Sequence, residues 1–148
     1  MFNLFKPKIA YAHCDIPCGI YDPHDAQMAA HTVIRMTQLL GEKDSMHDVA
    51  RITHVKEEHG ALVEKELETL NHDYFKEEHF KENPQLRDLV LSAIKDSAKV
   101  RQSIDMETAK GLLEKTMQIA EIFYKTKGVE PIRIKSIYPT GGEIVIYK

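Results

Sequence analysis

The chain contains four stretches in which apolar residues recur with the spacing of an α-helix. The first is predicted to begin at Asp22-Pro23, because an N-cap residue followed by proline is typical of a helix start, and to end at Gly41. The second is predicted to run from about Ser45 to Leu70. Its predicted inward-facing residues are Met46, Val49, Ile52, Val55, Leu62, Val63, Leu67 and Leu70.

Two later stretches have the same character. One opens at Asn83-Pro84, and the other is capped by Asp105 and closed by Gly128. Four amphipathic helices joined by short connections favour an all-α fold, an antiparallel four-helix bundle.

The last twenty residues change pattern. Residues 132–138 and, in part, residues 143–147 alternate apolar with polar side chains, and Pro139 and two glycines lie between them. This pattern predicts a β-hairpin. Because an isolated two-stranded ribbon is only marginally stable in water, we expect this extension, residues 129–148, to pack on the bundle or on a neighbouring subunit.

Composition limits the classes of function. A chain of 148 residues with 43% hydrophobic content can bury one core without disulfides. A net charge of −3 gives no electrostatic reason to expect binding to nucleic acid or to an anionic membrane. No apolar run approaches the roughly 20 residues that a membrane span needs. We expect neither a nucleic-acid partner nor a membrane partner.

Residues 1–12 resemble a processed leader. They end in Ala10-Tyr11-Ala12, which has the small-x-small form of a cleavage site. A secretory leader needs an apolar stretch of about 7–15 residues, and Lys6 and Lys8 interrupt this one. We expect a pro-segment that is removed without export, which leaves the protein in the cytoplasm. The alternative is an N-terminus that is not processed.

The two cysteines of the chain are the candidate chemistry. Cys14 and Cys18 lie four residues apart, and His13 precedes the first. Pro17 makes the loop rigid, and Gly19 allows a sharp turn after it. One short loop can therefore present thiolates, an imidazole and backbone amides to a metal ion.

Spacing alone leaves other interpretations open. A disulfide loop is disfavoured by the absence of an export signal, and a closed zinc site requires four ligands. A thiol redox pair usually has Cys-x-x-Cys spacing within a βαβ unit. A di-iron bundle requires Glu-x-x-His motifs, which the sequence lacks. A metal loop is the favoured reading, but spacing does not identify the metal.

A longer pattern carries a family resemblance. Residues 13–23 match the pattern H-C-D-x-P-C-G-x-Y-D-P at all nine fixed positions, and this pattern resembles the N-terminal hook of the nickel superoxide dismutases. Residues 73–76 and 122–127 are similar to two further segments of that family. The resemblance covers roughly residues 12–128, so residues 13–128 are interpreted as one nickel-hook and four-helix-bundle domain.

The resemblance implies a ligand set and a reaction. One nickel ion per subunit would be bound by the His13 amine, the Cys14 backbone amide, and the thiolates of Cys14 and Cys18. The His13 imidazole would join as an axial ligand in the oxidised state. Cycling between Ni(II) and Ni(III) would convert superoxide to oxygen and hydrogen peroxide. The His13 amine exists only after a maturation protease removes residues 1–12.

The resemblance also implies supporting roles. Tyr21 and Tyr74 would line the approach of a small anion to the metal. Asp15 and Pro17 would fix the geometry of the hook.

At two places the sequence departs from the family. Some members brace the axial imidazole with a Glu on the first helix and an Arg on the second, where this chain has Ala29 and His59. We expect that bracing to be altered or missing. The other histidines are predicted to occupy polar or boundary positions: His24, His31, His47, His54, His72 and His79.

The resemblance implies a homohexamer of four-helix bundles in which neighbouring subunits shield the short hook. A nickel-binding or nickel-trafficking protein without turnover is the alternative function. The presence of both Tyr21 and Tyr74 favours the enzyme.

Overall fold

The computed structural model describes residues 18–148. Five α-helices and one two-stranded antiparallel sheet make up the structure in this range. The elements are α1 (His24–Glu42), α2 (Met46–Thr69), α3 (Glu77–Glu82), α4 (Leu86–Gln102), α5 (Met106–Thr126), β1 (Pro131–Lys135) and β2 (Glu143–Tyr147).

Side chains accept hydrogen bonds from backbone amides at the predicted starts of α1, α2 and α5. The Ser45 hydroxyl accepts a hydrogen bond from the Asp48 amide (3.1 Å), and the Asp105 carboxylate accepts one from the Thr108 amide (3.0 Å). At the start of α1, the Asp22 carboxylate accepts a hydrogen bond from the backbone N–H of His24 (2.7 Å). These bonds satisfy amides that have no partner within their own helix.

The four long helices form the predicted bundle. Helix α1 packs on α2 and α5, and α4 packs on the same two helices, so the four enclose one core. The largest fully buried apolar side chains of the helices are Phe123, Leu67, Leu86, Leu112, Ile119, Val33, Val63, Val90 and Val100. The prediction of a four-helix bundle is confirmed. None of the helices in residues 18–148 combines the length and the apolar character that a membrane crossing requires.

Two local features differ from the expectations. Met46 is 88% exposed, although periodicity placed it inward, because it is the first residue of α2 and lies beyond the packed part of the helix. Between α2 and α4 the chain forms a π-helical turn, Leu70–Tyr74, and then the short helix α3. The sequence pattern indicated only that α2 ends near this point.

The predicted C-terminal hairpin is present and lies against α1 and α5. Its strands pair Ile132 with Ile146 and Arg133 with Val145. Backbone bonds at the two ends of the ladder, together with the alternation of an antiparallel pair, direct the N–H and C=O of Val145 away from β1. This part of β2 is therefore a strand edge that needs partners elsewhere.

Helix α1 supplies those partners. Gln27 donates to the carbonyl of Val145 (3.0 Å) and accepts from its N–H (2.7 Å). One turn along α1, His31 Nε2–H donates to the carbonyl of Glu143 (3.1 Å). Gln27 and His31 are four residues apart, a rise of about 6 Å along the helix, and Val145 and Glu143 are two residues apart, about 6.7 Å along the strand. The two side chains therefore have the right spacing to bond the two strand residues whose backbone groups point away from β1.

Candidate metal centre

An even number of antiparallel long helices brings the start of α1 and the end of α5 to the same end of the bundle. The end of α2 lies there too, since Tyr21, just before α1, contacts Tyr74 after α2, and Tyr74 contacts Thr126 of α5. All the described candidate site residues meet at this end.

Cys18 is the one predicted nickel ligand within the described residues. It is exposed, and its Sγ accepts a hydrogen bond from the backbone N–H of Ile20 (3.4 Å). Gly19 between them has φ +71°, a left-handed conformation that suits glycine. Leader residues 1–12 and the predicted site residues His13, Cys14, Asp15 and Pro17 lie outside the described residues.

The rings of Tyr21 and Tyr74, the two predicted access residues, lie close together. Their ring centroids lie 5.6 Å apart with the planes inclined at 49°. The π-helical turn sets the position of Tyr74, because the Phe75 amide reaches back five residues to the carbonyl of Leu70 (2.8 Å). A single π turn rotates the residues that follow it relative to an α-helix, and such turns recur at functional sites.

Hydrogen bonds fix the orientation of Tyr74. The Thr126 hydroxyl donates to the carbonyl of Phe123 (2.7 Å), so its oxygen accepts the proton of the Tyr74 hydroxyl (2.7 Å). The Tyr74 ring also packs against His79 in a stacked arrangement, with 5.6 Å between ring centroids. The side chain is held at both its ring and its hydroxyl.

A cavity of about 420 Å³ opens beside these tyrosines. Both acidic and basic side chains line it, and the ammonium of Lys127 lies 4.7 Å from the centroid of the Tyr74 ring. The lining residues are Gly19, Tyr21, Asp73, Tyr74, Lys76, Glu78, His79, Thr126 and Lys127. The cavity has room for a small molecule beside the two tyrosines.

Asp22 joins the hook segment to the bundle. The oxygen that accepts from His24 also accepts a hydrogen bond from the Tyr124 hydroxyl (3.2 Å). Tyr124 is buried, and its burial, followed by the negative charge of Asp22, raises its pKa well above the usual tyrosine value. The Tyr124 hydroxyl is therefore a permanent donor near neutral pH.

The two positions that depart from the family pattern hold no bracing pair. Ala29 is 1% exposed and packs in the core. His59 donates through Nδ1 to the carbonyl of Val55 (2.8 Å) in its own helix. That bond commits one ring nitrogen to helix α2.

Sequence reasoning misplaced His31 and overlooked Gln27. Both are buried, at 4% and 0% exposure, whereas His31 had been predicted at a polar or boundary position. His31 Nδ1 accepts a hydrogen bond from the Thr140 hydroxyl (2.8 Å), and the Tyr138 ring lies edge-on to the imidazole. Their partners lie more than 100 residues away, so no local signal in the sequence could have identified them.

The thiolate and nitrogen donors predicted at the hook suit the chemistry of nickel. Within residues 18–148 no group of three or more His, Cys, Asp or Glu side chains is arranged to hold a metal ion. Cys18 offers an exposed sulfur at the end of the bundle where the tyrosines meet, and thiolates with nitrogen donors suit nickel in a planar site.

Comparison with known proteins shows which family this chain is similar to in sequence. The family model for nickel-containing superoxide dismutase matches residues 8–127. The superoxide dismutase [Ni] of Streptomyces seoulensis is 38% identical over 126 residues, which cover 84% of this chain and 96% of that protein. The corresponding protein of Streptomyces coelicolor is 37% identical over the same coverage.

Solved structures agree. A native nickel superoxide dismutase structure matches with a TM-score of 0.74 at 36% identity, and covers 78% of this chain and 99% of the other. A structure of a nickel-containing superoxide dismutase with oxidised-state ligation matches with a TM-score of 0.75 at 37% identity and the same coverage.

The bundle and its hook motif define a metal-dependent oxidoreductase of the helical-bundle class. The chain belongs to the nickel-containing superoxide dismutase family. Its cofactor is nickel, and its substrate is superoxide, which it converts to oxygen and hydrogen peroxide. The predicted fold, enzyme class and cofactor are confirmed, and the findings support the enzyme over a nickel-trafficking protein.

Proposed function

We propose that nickel is held by His13, Cys14 and Cys18 at the N-terminal hook of this superoxide dismutase. Bound nickel supplies the one-electron oxidation and reduction that dismutation needs. The nine-position motif over residues 13–23 carries the assignment. The exposed Cys18 supports it, because Cys18 directly precedes Gly19, which lines the cavity beside the tyrosine pair.

The contacts of Tyr21, Tyr74 and Lys127 support their proposed roles, and the family resemblance suggests those of Asp15 and Pro17. Tyr21 and Tyr74 limit access to the hook to small molecules, and the bond to Thr126 keeps Tyr74 in place. Asp15 and Pro17 shape the hook itself. Lys127, over the Tyr74 ring, places a positive charge next to the path of an anionic substrate.

Maturation is part of this proposal. A protease removes residues 1–12. Nickel binding requires this cleavage, because the His13 nitrogen becomes a basic amine only when the Ala12–His13 bond is cut. Residues 13–128 then form the catalytic domain and residues 129–148 an extension of it.

One experiment tests the ligand assignment. Intact mass and metal content are measured for the chain made with and without the maturation protease. We expect a processed chain that begins at His13, about one nickel per chain and superoxide dismutation, whereas the unprocessed chain is inactive. Cys14→Ser and Cys18→Ser should each abolish nickel binding and activity. Stoichiometric zinc without dismutation after processing would overturn the assignment.

The assembly is proposed to be a cytoplasmic homohexamer. The exposure of Cys18 and the 77% exposure of Ile20 support shielding of the hook by neighbouring subunits. Native mass spectrometry should show six chains, and cell fractionation should find them in the cytoplasm. A stable monomer with full activity would contradict the shielding role.

A further inference from the structure

The C-terminal hairpin lies beyond residues 8–127 that the family model matches, and specific contacts fix its position. Gln27 pairs with both backbone groups of Val145. On the other strand, the Arg133 guanidinium bonds both carboxylate oxygens of Glu114 (2.9 Å each) and one oxygen of Glu121 (2.6 Å). These contacts anchor β2 to α1 and β1 to α5.

This anchoring places Tyr147, near the end of β2, against the last turns of α5. Its ring centroid lies 5.2 Å from that of Tyr124, with the planes inclined at 47°. Tyr124 is 4% exposed and the Tyr147 ring in contact with it is 55% exposed, so Tyr147 lies between one side of Tyr124 and solvent. The hairpin therefore forms part of the surroundings of a buried hydroxyl.

The Tyr124 hydroxyl in turn acts on the hook segment. It donates to the same Asp22 oxygen that accepts from the His24 amide, so Asp22 is held from two sides. Asp22 lies four residues after Cys18, and the intervening Ile20 is largely exposed. Tyr21, between Ile20 and Asp22, packs against Tyr74, so the position of Cys18 relative to the bundle depends both on that contact and on how firmly Asp22 is held.

We propose that Tyr124 and Tyr147 are positioning residues for the nickel hook. The hairpin steadies Tyr124, the Tyr124 hydroxyl holds Asp22, and Asp22 fixes the segment that carries Cys18. The inference rests on the proposed role of Cys18 as a nickel ligand. It gives the C-terminal extension a function in metal retention in addition to packing.

Four variants of the full chain test this role. Tyr124→Phe removes the hydroxyl, and Tyr147→Leu removes the covering ring. Tyr147→Phe retains that ring and should behave as the parent. Tyr138→Phe is the matched control, because it removes a tyrosine hydroxyl from the same hairpin far from Asp22.

Two measurements are made on each variant. One is the rate at which a chelator removes nickel from the processed protein, and the other is amide hydrogen exchange of the metal-free chain. We expect Tyr124→Phe and Tyr147→Leu to release nickel about threefold faster, a modest factor because water replaces part of a hydrogen bond at the exposed Asp22. Exchange at the His24 amide should rise by a similar factor, while exchange in α4 stays at the parent rate.

The outcomes separate this inference from the proposed metal site. Parental nickel release and parental His24 exchange in both variants would overturn the positioning role. A uniform rise in exchange throughout the chain would also overturn it, because it would show a purely structural effect. Failure of the parent protein to bind nickel would instead refute the ligand assignment, and His24 exchange in the metal-free chain would still test the contact.

Discussion

The side-chain amide of Gln27 pairs with the backbone of Val145 as a neighbouring strand would, with N···O distances of 3.0 and 2.7 Å. The two residues are 118 positions apart in the chain, and both are fully buried. This pair joins the first helix to the last strand, and it explains why a two-stranded ribbon is stable here although it lacks a third strand.

Substitution of Gln27 should therefore lower the free energy of unfolding more than substitution of a similar residue on the same helix. Gln27→Leu leaves the buried N–H and C=O of Val145 without partners, so we expect the free energy of unfolding to fall by about 2–4 kcal/mol. Urea denaturation measures this loss. Gln38→Leu is the control, since Gln38 is half-buried and bonds only a side chain, Arg35 (3.3 Å), among the contacts seen. Equal losses in the two variants would contradict the role of the Gln27 pair.

The buried His31 should make stability depend on pH. Burial lowers the pKa of His31 from 6.5, and the hydrogen bond to the Glu143 carbonyl offsets this only in part. The unfolded chain therefore binds more protons than the folded chain once the pH falls below about 6.5, and stability is lost as the pH drops further.

Denaturation midpoints at pH 7.5 and pH 5.5 test this linkage. The parent protein should lose more stability between the two pH values than His31→Gln, which carries no titrating ring. His47→Gln, a substitution of an exposed histidine, should keep the pH dependence of the parent. Identical pH dependence in the parent and His31→Gln would refute the linkage.

Removal of the Tyr74 hydroxyl should affect dismutation activity more than the free energy of unfolding. In Tyr74→Phe the Thr126 hydroxyl still donates to the Phe123 carbonyl, so only one hydrogen bond is lost and the free energy of unfolding should fall by about 1 kcal/mol. Because the ring is then less firmly held at the cavity, we expect lower dismutation at unchanged nickel content. Metal analysis and superoxide decay measure the two effects. Parental activity in Tyr74→Phe would show that the hydroxyl does not contribute.

Two glycines inside helices should respond in opposite directions to alanine. A Cβ on Gly60 would lie 2.6 Å from Cγ of Arg101, whose guanidinium bonds Glu64 (2.6 Å). Overpacking of this kind costs about 1–3 kcal/mol, which outweighs the gain in helix propensity of about 1 kcal/mol.

At Gly111 the same Cβ would meet only an Asp96 oxygen at 3.9 Å, an ordinary contact. Gly111→Ala should therefore raise the free energy of unfolding by up to about 1 kcal/mol, whereas Gly60→Ala lowers it. Thermal unfolding of both variants measures the difference. Stabilisation by both substitutions would show that Arg101 moves aside without cost.

Features of the fold that depend on neighbours in sequence are predictable from the sequence. The caps Ser45 and Asp105 and the glycines after Pro139 act within a few residues, so the long helices and the hairpin are found close to their actual bounds. The π-helical turn before Phe75 changes the phase of the helix by one residue, which periodicity does not reveal. The burial of His31 depends on partners that only the folded chain brings near.

The candidate site divides in the same way. The hook motif is contiguous and specific, so it identified the family. The same motif identified Cys18 and Tyr21 as candidate site residues. Tyr74 was found only because the resemblance included its segment. The contact of Tyr124 with Asp22 spans 102 positions and follows from the packing of α5 beside α1.

The even number of long helices has a practical consequence for handling this protein. Tyr147 lies against Tyr124, so any peptide fused after Lys148 would begin at the end of the bundle where the start of α1 and the end of α5 meet, next to the proposed nickel hook. A polyhistidine tag placed there would bring competing imidazoles close to the hook and would distort both metal content and loading rates. The connection between α1 and α2 lies at the opposite end, and its exposed residues 43–45 offer a safer site for a purification or labelling sequence.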